Sequence, residues 1–246
     1  MDQREIKQKL KEIAIAVEGT GHPVVFTSIF GSHNYGLECE NSDLDVYVVV
    51  MPTVTTFMNM KDAIVTKNIA DCEVVVCDIR KFVQLMGRGQ FRECEALRSR
   101  YLQPTEEYQP LTDALITLFH DYEGINEWRW HLLRAVHGQT SSYLSRLAEE
   151  KQKDVSDHSK ASKYAATLMY FSQFAERYFQ HGESFEQAIV NNDEFLVYLK
   201  NDAIPFPPMA LLEMGQEIEA RWPQFAPLDD GISKRWRADS EKDYQY

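Results

Sequence analysis

At 246 residues, with 44% hydrophobic and 26% charged side chains, the chain has ordinary globular composition and can bury one substantial core or two modest ones. Its net charge of −12 opposes indiscriminate binding to a phosphate backbone. No apolar run approaches the ~18–20 residues that a bilayer span needs, so a membrane helix is excluded along with wholesale disorder.

In chain order, the first predicted element is a helix over Glu5–Val17, where Ile6, Leu10, Ile13, Ala14 and Val17 form an apolar stripe. Gly19, Gly21 and Pro23 break it. Val24–Phe30 reads as a strand, Leu44–Val50 as a second and Cys72–Asp78 as a third, with a short hairpin strand at Ala63–Val65 before Asp71. Pro52 ends the second strand, since a central ladder has no use for a residue without an N–H. From Ile79 the period becomes helical: Arg80–Arg88 and Phe91–Arg100 follow, joined at Gly87 and Gly89, with Asp78 as an N-cap.

Pro104 and Pro110 flank a loop that places a domain boundary near residue 105. Helices are expected over Leu111–Tyr122, Ile125–Glu150, His158–His181, Phe185–Lys200 and Met209–Trp222. Gly182 suits a C′ position, and Ser184 with Gln187 suits a capping box. The segment KQKDVSDHS reads as an exposed loop and RADSEKDYQY as a polar end that frays. The expectation is a sheet domain over residues 1–105 followed by an α-helical domain over 106–246.

Cys39, Cys72, Cys77 and Cys94 lack CxxC or zinc-finger spacing, and Cys72 and Cys77 read as apolar strand fillers. With an amphipathic rather than signal-like N-terminus, this predicts a reduced, cytoplasmic setting. The aromatic set Trp128, Trp130, Tyr143, Tyr170, Phe171, Phe174 and Tyr178 falls at the helical spacing of a core. His120, His131 and His137 have no paired spacing that would make two of them metal ligands on one face.

The chemistry-bearing stretch is Ile29–Val50, IFGSHNYGLECENSDLDVYVVV. Asp43 and Asp45, two apart at the start of a strand, share a face and can bridge divalent cations about 3.5–4 Å apart, as in-line phosphoryl or nucleotidyl transfer requires. Gly31 and Ser32 form a turn whose backbone can approach a phosphate, because Gly31 has no Cβ. Ser32 and the N–H groups of Gly31 and His33 are the candidate phosphate donors, with the His33 side chain and Arg80 as further contacts. Ser32 also reads as a helix cap. Together these features suggest a nucleoside triphosphate handled with magnesium.

Gly31-Ser32 followed by Asp43-x-Asp45 resembles the nucleotidyltransferase superfamily that includes DNA polymerase β, poly(A) polymerases and CCA-adding enzymes. The longer run, GSHNYGL, NSDLDVYVVV and EVVVCDIRKFVQL, is similar to the nucleotidyltransferases associated with RNA repair ligase pathways, over roughly residues 25–95. The resemblance implies an α/β (α+β) fold, a small mixed-sheet catalytic domain followed by helices. It implies Mg2+ (or Mn2+) held by Asp43, Asp45 and a third carboxylate, which falls on Glu73 with Asp71 as the alternative. Glu73 departs from the more usual Asp by one methylene. It also implies an NTP substrate and a basic residue facing the nucleotide from a C-terminal helix, where this chain offers Lys163 beside Ala165, Ala166 and Thr167.

The activity implied is transfer of NMP from an NTP to a hydroxyl, an RNA end, with release of pyrophosphate. A protein side-chain hydroxyl is the alternative acceptor (AMPylation-type chemistry), and a non-catalytic nucleotide sensor is a third reading. Arg80, Lys81, Arg88, Arg92, Arg98 and Arg100 cluster in sequence and read either as a solvated, salt-bridged helical face or as a patch for triphosphate or an RNA end.

Overall fold

The computed structural model describes residues 2–39, 42–59, 64–151, 159–191, 193–201 and 206–225. Helix α1 (Gln3–Glu18) opens on a capping box, in which Asp2 accepts the N–H groups of Arg4 and Glu5 and Glu5 accepts that of Asp2. Strand β1 (Val24–Phe30) leads into the one-turn helix α2 (Ser32–Tyr35), and β2 (Asp45–Val50) follows. After the short α3 (Val54–Met58), β3 (Ile64–Ile69) and β4 (Cys72–Asp78) form a hairpin. Its turn is made by Ala70 and Asp71, both at positive φ (52° and 59°), the conformation that two-residue hairpin loops require.

Helices α4 (Ile79–Gly87) and α5 (Phe91–Leu97) come next, then the two-residue strand β5 (Gln103–Pro104), a 3₁₀ turn and α6 (Gln109–Glu123). Asp78 caps α4 by accepting the Arg80 N–H. The five-stranded sheet runs β3-β4-β2-β1-β5, with β2 and β4 parallel and every other pairing antiparallel. This is the mixed sheet expected.

Each face of the sheet is covered, which is why β1, β2 and β4 read as nearly continuous apolar runs. On one face Val46, Val48, Val50 and Val74 meet the α1 stripe of Ile6, Leu10, Ile13 and Val17. On the other, Phe26 and Tyr47 meet Phe82 of α4 edge to face at 5.4 and 5.9 Å. The second face carries Asp45 and Glu73 at its end.

Contacts divide the chain into two units: Met1–Gly36 with Glu40–Ile125, and Leu37–Cys39 with Asn126–Tyr246. Helix α6 packs on β1, α4 and α5 and so falls within the first of these units. The second unit contains α7 (Asn126–Lys151), α8 (Ser159–Ala175) with a π-helical turn at Glu176–Gln180, α9 (Phe185–Ile189), α10 (Glu194–Lys200) and α11 (Pro208–Arg221). Its core includes Leu147, Ala161, Ala165, Ala166, Leu199 and Leu211. A Cβ on Gly215 of α11 would meet Leu144 at 2.9 Å, so a glycine permits the close helix packing there.

Several expectations change. The hairpin strand placed at Ala63–Val65 is the longer Ile64–Ile69, an exposed edge whose polar residues mask it in sequence, and Ala63 lies outside the described residues. The helix expected over Phe185–Lys200 is two. The Arg177 guanidinium binds the carbonyls of Gln187, Ala188 and Val190, ending α9, and Asp193 caps α10. The capping box of Ser184 and Gln187 is present, and Gly182 has φ 69°. His158, most of KQKDVSDHS and the last segment lie outside the described residues.

Trp128, Trp130, Tyr170, Phe171, Phe174 and Tyr178 are buried as core, with Tyr143 half-buried beside Tyr164 and Phe171. His120 pairs with Glu123 and His137 with Glu219. None of the four cysteines is joined in a disulfide. Among the described residues no helix is long and apolar enough to cross a membrane.

Candidate active site

The parallel pairing of β2 and β4 puts Asp45 directly beside Glu73. Residues in register on adjacent strands project from the same face, so these carboxylates stand together at the end of the sheet where β1 delivers Phe30 opposite Asp45. The next residue is Gly31. Its backbone (φ 74°, ψ −152°) is open only to glycine, and a Cβ there would lie 2.6 Å from Asp45 Oδ2. The Gly31-Ser32 loop therefore rests against the Asp45 carboxylate.

Asp43 precedes β2 by two residues and is exposed, as is Glu73. Both line a cleft with Asn68, Ala70, Asp71 and Cys72. Asp71 occupies the hairpin turn, whereas Glu73 is a ladder residue in register with Asp45. Among the described residues no three His, Cys, Asp or Glu side chains already converge as a metal set. The donor chemistry nonetheless suits Mg2+ or Mn2+, which take hard oxygen ligands. Asp45 lies beneath the loop, and Asp43 and Glu73 are exposed along the cleft.

Ser32 is the first residue of α2, with Gly31 in the capping position and no side-chain cap bond. The capping reading of Ser32 is set aside, which leaves its hydroxyl beside the loop. The amides of Asn34 and Tyr35 both donate to Gly31 O, whereas the Gly31 N–H donates to Glu95 Oε1 at 2.7 Å. The Gly31 amide, expected to meet a phosphate, is thus engaged inside the protein. The amides of Ser32 and His33 have no backbone acceptor among the described residues. The His33 ring is buried and donates through Nε2 to Ser42 O at 3.3 Å, tying the loop to the residue before Asp43.

A second set of residues, from α5 and just beyond it, holds this loop. Glu95, 1% exposed, also accepts Asn34 Nδ2 at 3.1 Å and the Tyr35 hydroxyl at 2.9 Å. Ser99 Oγ donates to Asn34 Oδ1 at 3.0 Å, and the exposed Arg100 donates through Nη2 to His33 O at 2.6 Å. Burial pushes the Glu95 carboxyl up to about 8; the bonds from Asn34, Tyr35 and Gly31 oppose this and the Asp45 charge adds to it. Glu93, also buried, accepts the Tyr47 hydroxyl and the Arg92 guanidinium, and burial together with Glu93 pushes the Tyr47 phenol up.

Sequence inspection missed Glu95 and Ser99, since acids and serines in a basic helical window read as a solvated face. The one available signal is that Phe91, Cys94, Ala96 and Leu97 surround Glu95 with apolar residues, leaving little polar face. The basic window itself mostly resolves into internal pairs. Arg80 is bound to Asp78, Arg92 to Glu93, and Arg98 lies over Phe119. Asp78 is in register with Val50, at the opposite strand end from Asp45 and Glu73, roughly 16 Å away at the usual rise per residue. Arg80 is therefore not part of the acidic end. Lys163 is exposed on α8, in the second unit.

A family model described as RlaP, RNA repair pathway DNA polymerase beta family, matches residues 3–179. No curated protein matches the chain.

Proposed function

The chain belongs to the RNA repair pathway DNA polymerase beta family, and from that premise we propose that it is a magnesium-dependent nucleotidyltransferase that moves NMP from an NTP to a hydroxyl, with an RNA end as acceptor. The observation that carries this reading is the register of Asp45 with Glu73 directly beneath the Gly31-Ser32 loop.

In this reading the Ser32 hydroxyl and the Ser32 and His33 amides bind the triphosphate, and Arg100, beside the loop, supplies positive charge to it. Asp43, Asp45 and Glu73 would hold the metal ions. Bound there, Mg2+ or Mn2+ would offset the repulsion among these carboxylates, acidify the attacking hydroxyl and neutralise the leaving pyrophosphate. The acceptor oxygen forms a bond to the α-phosphorus while the bond from that phosphorus to the bridging oxygen breaks. The hydroxyl proton passes to a carboxylate of the set, with Glu73 the candidate, and pyrophosphate departs. Arg80 and the His33 ring have no direct role in this scheme, and Lys163 remains a nucleotide contact only by the family resemblance.

The net charge of −12, with most of the basic window engaged internally, favours a second acceptor, a protein hydroxyl, over a long nucleic acid. Label transfer from each α-labelled NTP to total RNA and to cell protein, with Mg2+ or Mn2+, decides between them. Label lost in Asp43→Ala/Asp45→Ala supports the transferase and identifies the acceptor class. NTP binding without label in either pool favours the sensor reading instead.

A further inference from the structure

We propose that Glu95 is a positioning residue for the triphosphate, setting the Gly31-Ser32 loop against Asp45 through hydrogen bonds from Gly31, Asn34 and Tyr35; this rests on the nucleotide-binding reading of that loop. Those three partners lie within one five-residue stretch, and two of them share Oε1. A single carboxyl group therefore fixes the backbone at the start of α2 and both side chains at its end.

The consequence is directional. The Gly31 N–H is spent on Glu95, whereas the following amides of Ser32 and His33 have no backbone acceptor among the described residues and are the ones left for a ligand. Because even a Cβ on Gly31 would come within 2.6 Å of Asp45 Oδ2, the loop that Glu95 holds also sets the position of the phosphate site relative to the metal carboxylates. Ser99, four residues after Glu95, braces Asn34 from its other side, so the α5 segment grips the loop at two points.

A carboxyl group is a poor choice for a merely structural core position, since burial disfavours its charged form and an apolar side chain would pack there without that cost. Its value lies in presenting acceptors to an N–H, an amide and a hydroxyl together. Glutamine has the same shape: its oxygen accepts from Gly31 and Asn34, and its Nε2 donates to the Tyr35 oxygen. Leucine keeps much of the volume and offers nothing.

The test is equilibrium binding of each of the four NTPs with Mg2+ to wild type, Glu95→Gln, Glu95→Leu and Tyr35→Phe, by titration calorimetry beside a thermal melt of each protein. Glu95→Gln is expected to bind within about 3-fold of wild type and Glu95→Leu about 10- to 100-fold more weakly, the scale of loss that misplaced binding groups produce, with Tyr35→Phe between them. A purely structural Glu95 would lower the melting temperature and leave affinity unchanged below it. If Glu95→Leu does not fold, Tyr35→Phe, which removes one oxygen from a retained ring, carries the test. Wild-type affinity in folded Glu95→Leu, or in Tyr35→Phe where that variant decides, overturns the proposal, as does a loss in Glu95→Gln equal to that in Glu95→Leu. Absence of NTP binding by the wild type overturns the nucleotide reading itself, and the proposal with it.

Discussion

Gly31 and Asp45 are in such close contact that a single added methyl group would stand 2.6 Å from the Asp45 carboxylate oxygen. The glycine has two reasons to be there, its φ of 74° and this approach. Gly31→Ala is accordingly expected to cost about 1–3 kcal/mol of stability from backbone strain. Turnover should fall further than stability implies, by about 100-fold, because the loop and Asp45 must separate. Chemical denaturation beside nucleotidyl-transfer rates measures both, and near-wild-type turnover would show that loop and carboxylate need not touch.

Glu73 and Asp71 are both acids near the cleft, yet only Glu73 shares a ladder position with Asp45. Glu73→Gln should lower metal-dependent turnover at least about 100-fold, the order seen when metal sites lose a supporting group, and should raise the Mg2+ concentration needed for half-activity. Asp71→Asn should change either by only a few-fold. The reverse ranking would move the third carboxylate to the hairpin turn.

Arg100 and Arg80 belong to one basic stretch but have different partners. Arg100→Ala is expected to weaken NTP binding about 10-fold, the scale of one charge-assisted hydrogen bond, with stability little changed because the side chain is exposed. Arg80→Ala should leave NTP affinity intact and cost about 1–3 kcal/mol of stability, because the buried Asp78 loses its guanidinium. A denaturation curve and a binding isotherm on each variant separate the two.

Glu95 predicts a pH dependence of folding in the metal-free protein. Its carboxyl titrates near 4.5 when free of the fold and at about 8 within it. Between those values the folded protein keeps a proton that the unfolded chain has released, so this group's contribution is greatest below pH 4.5 and is lost as pH rises toward 8. Glu95→Gln removes the titration. The variant should gain stability relative to wild type as pH is raised from 5 to 8 in urea denaturation. A constant difference across that range would contradict the buried neutral carboxyl.

Much of this protein was determined by its sequence alone, and those features share a short range. Ile6, Leu10, Ile13 and Val17 specify the face of α1, the Ser184–Gln187 box starts α9, and Asp78 caps α4, because periodicity and capping act within one or two turns. The order of Gly31-Ser32 and Asp43-x-Asp45 was legible for the same reason: a turn and a strand face are local objects. The mixed sheet and the family followed from that order.

What tertiary structure decided is which distant groups meet. Gly31 and Glu95 are separated by 64 positions, and no local pattern distinguishes a helical acid that will accept a loop amide from one that will face water. The same holds for Arg80, Arg92 and Arg100, whose roles depend on which carboxylate or carbonyl the packed sheet brings within reach. The edge strand β3 and the place of α6 also had to await assembly. An exposed strand carries no alternation, and α6 joins the first unit through contacts with β1 and α4 that its own residues do not announce. Short-range chemistry wrote the parts; the closing of the sheet against α4 and α5 selected their partners.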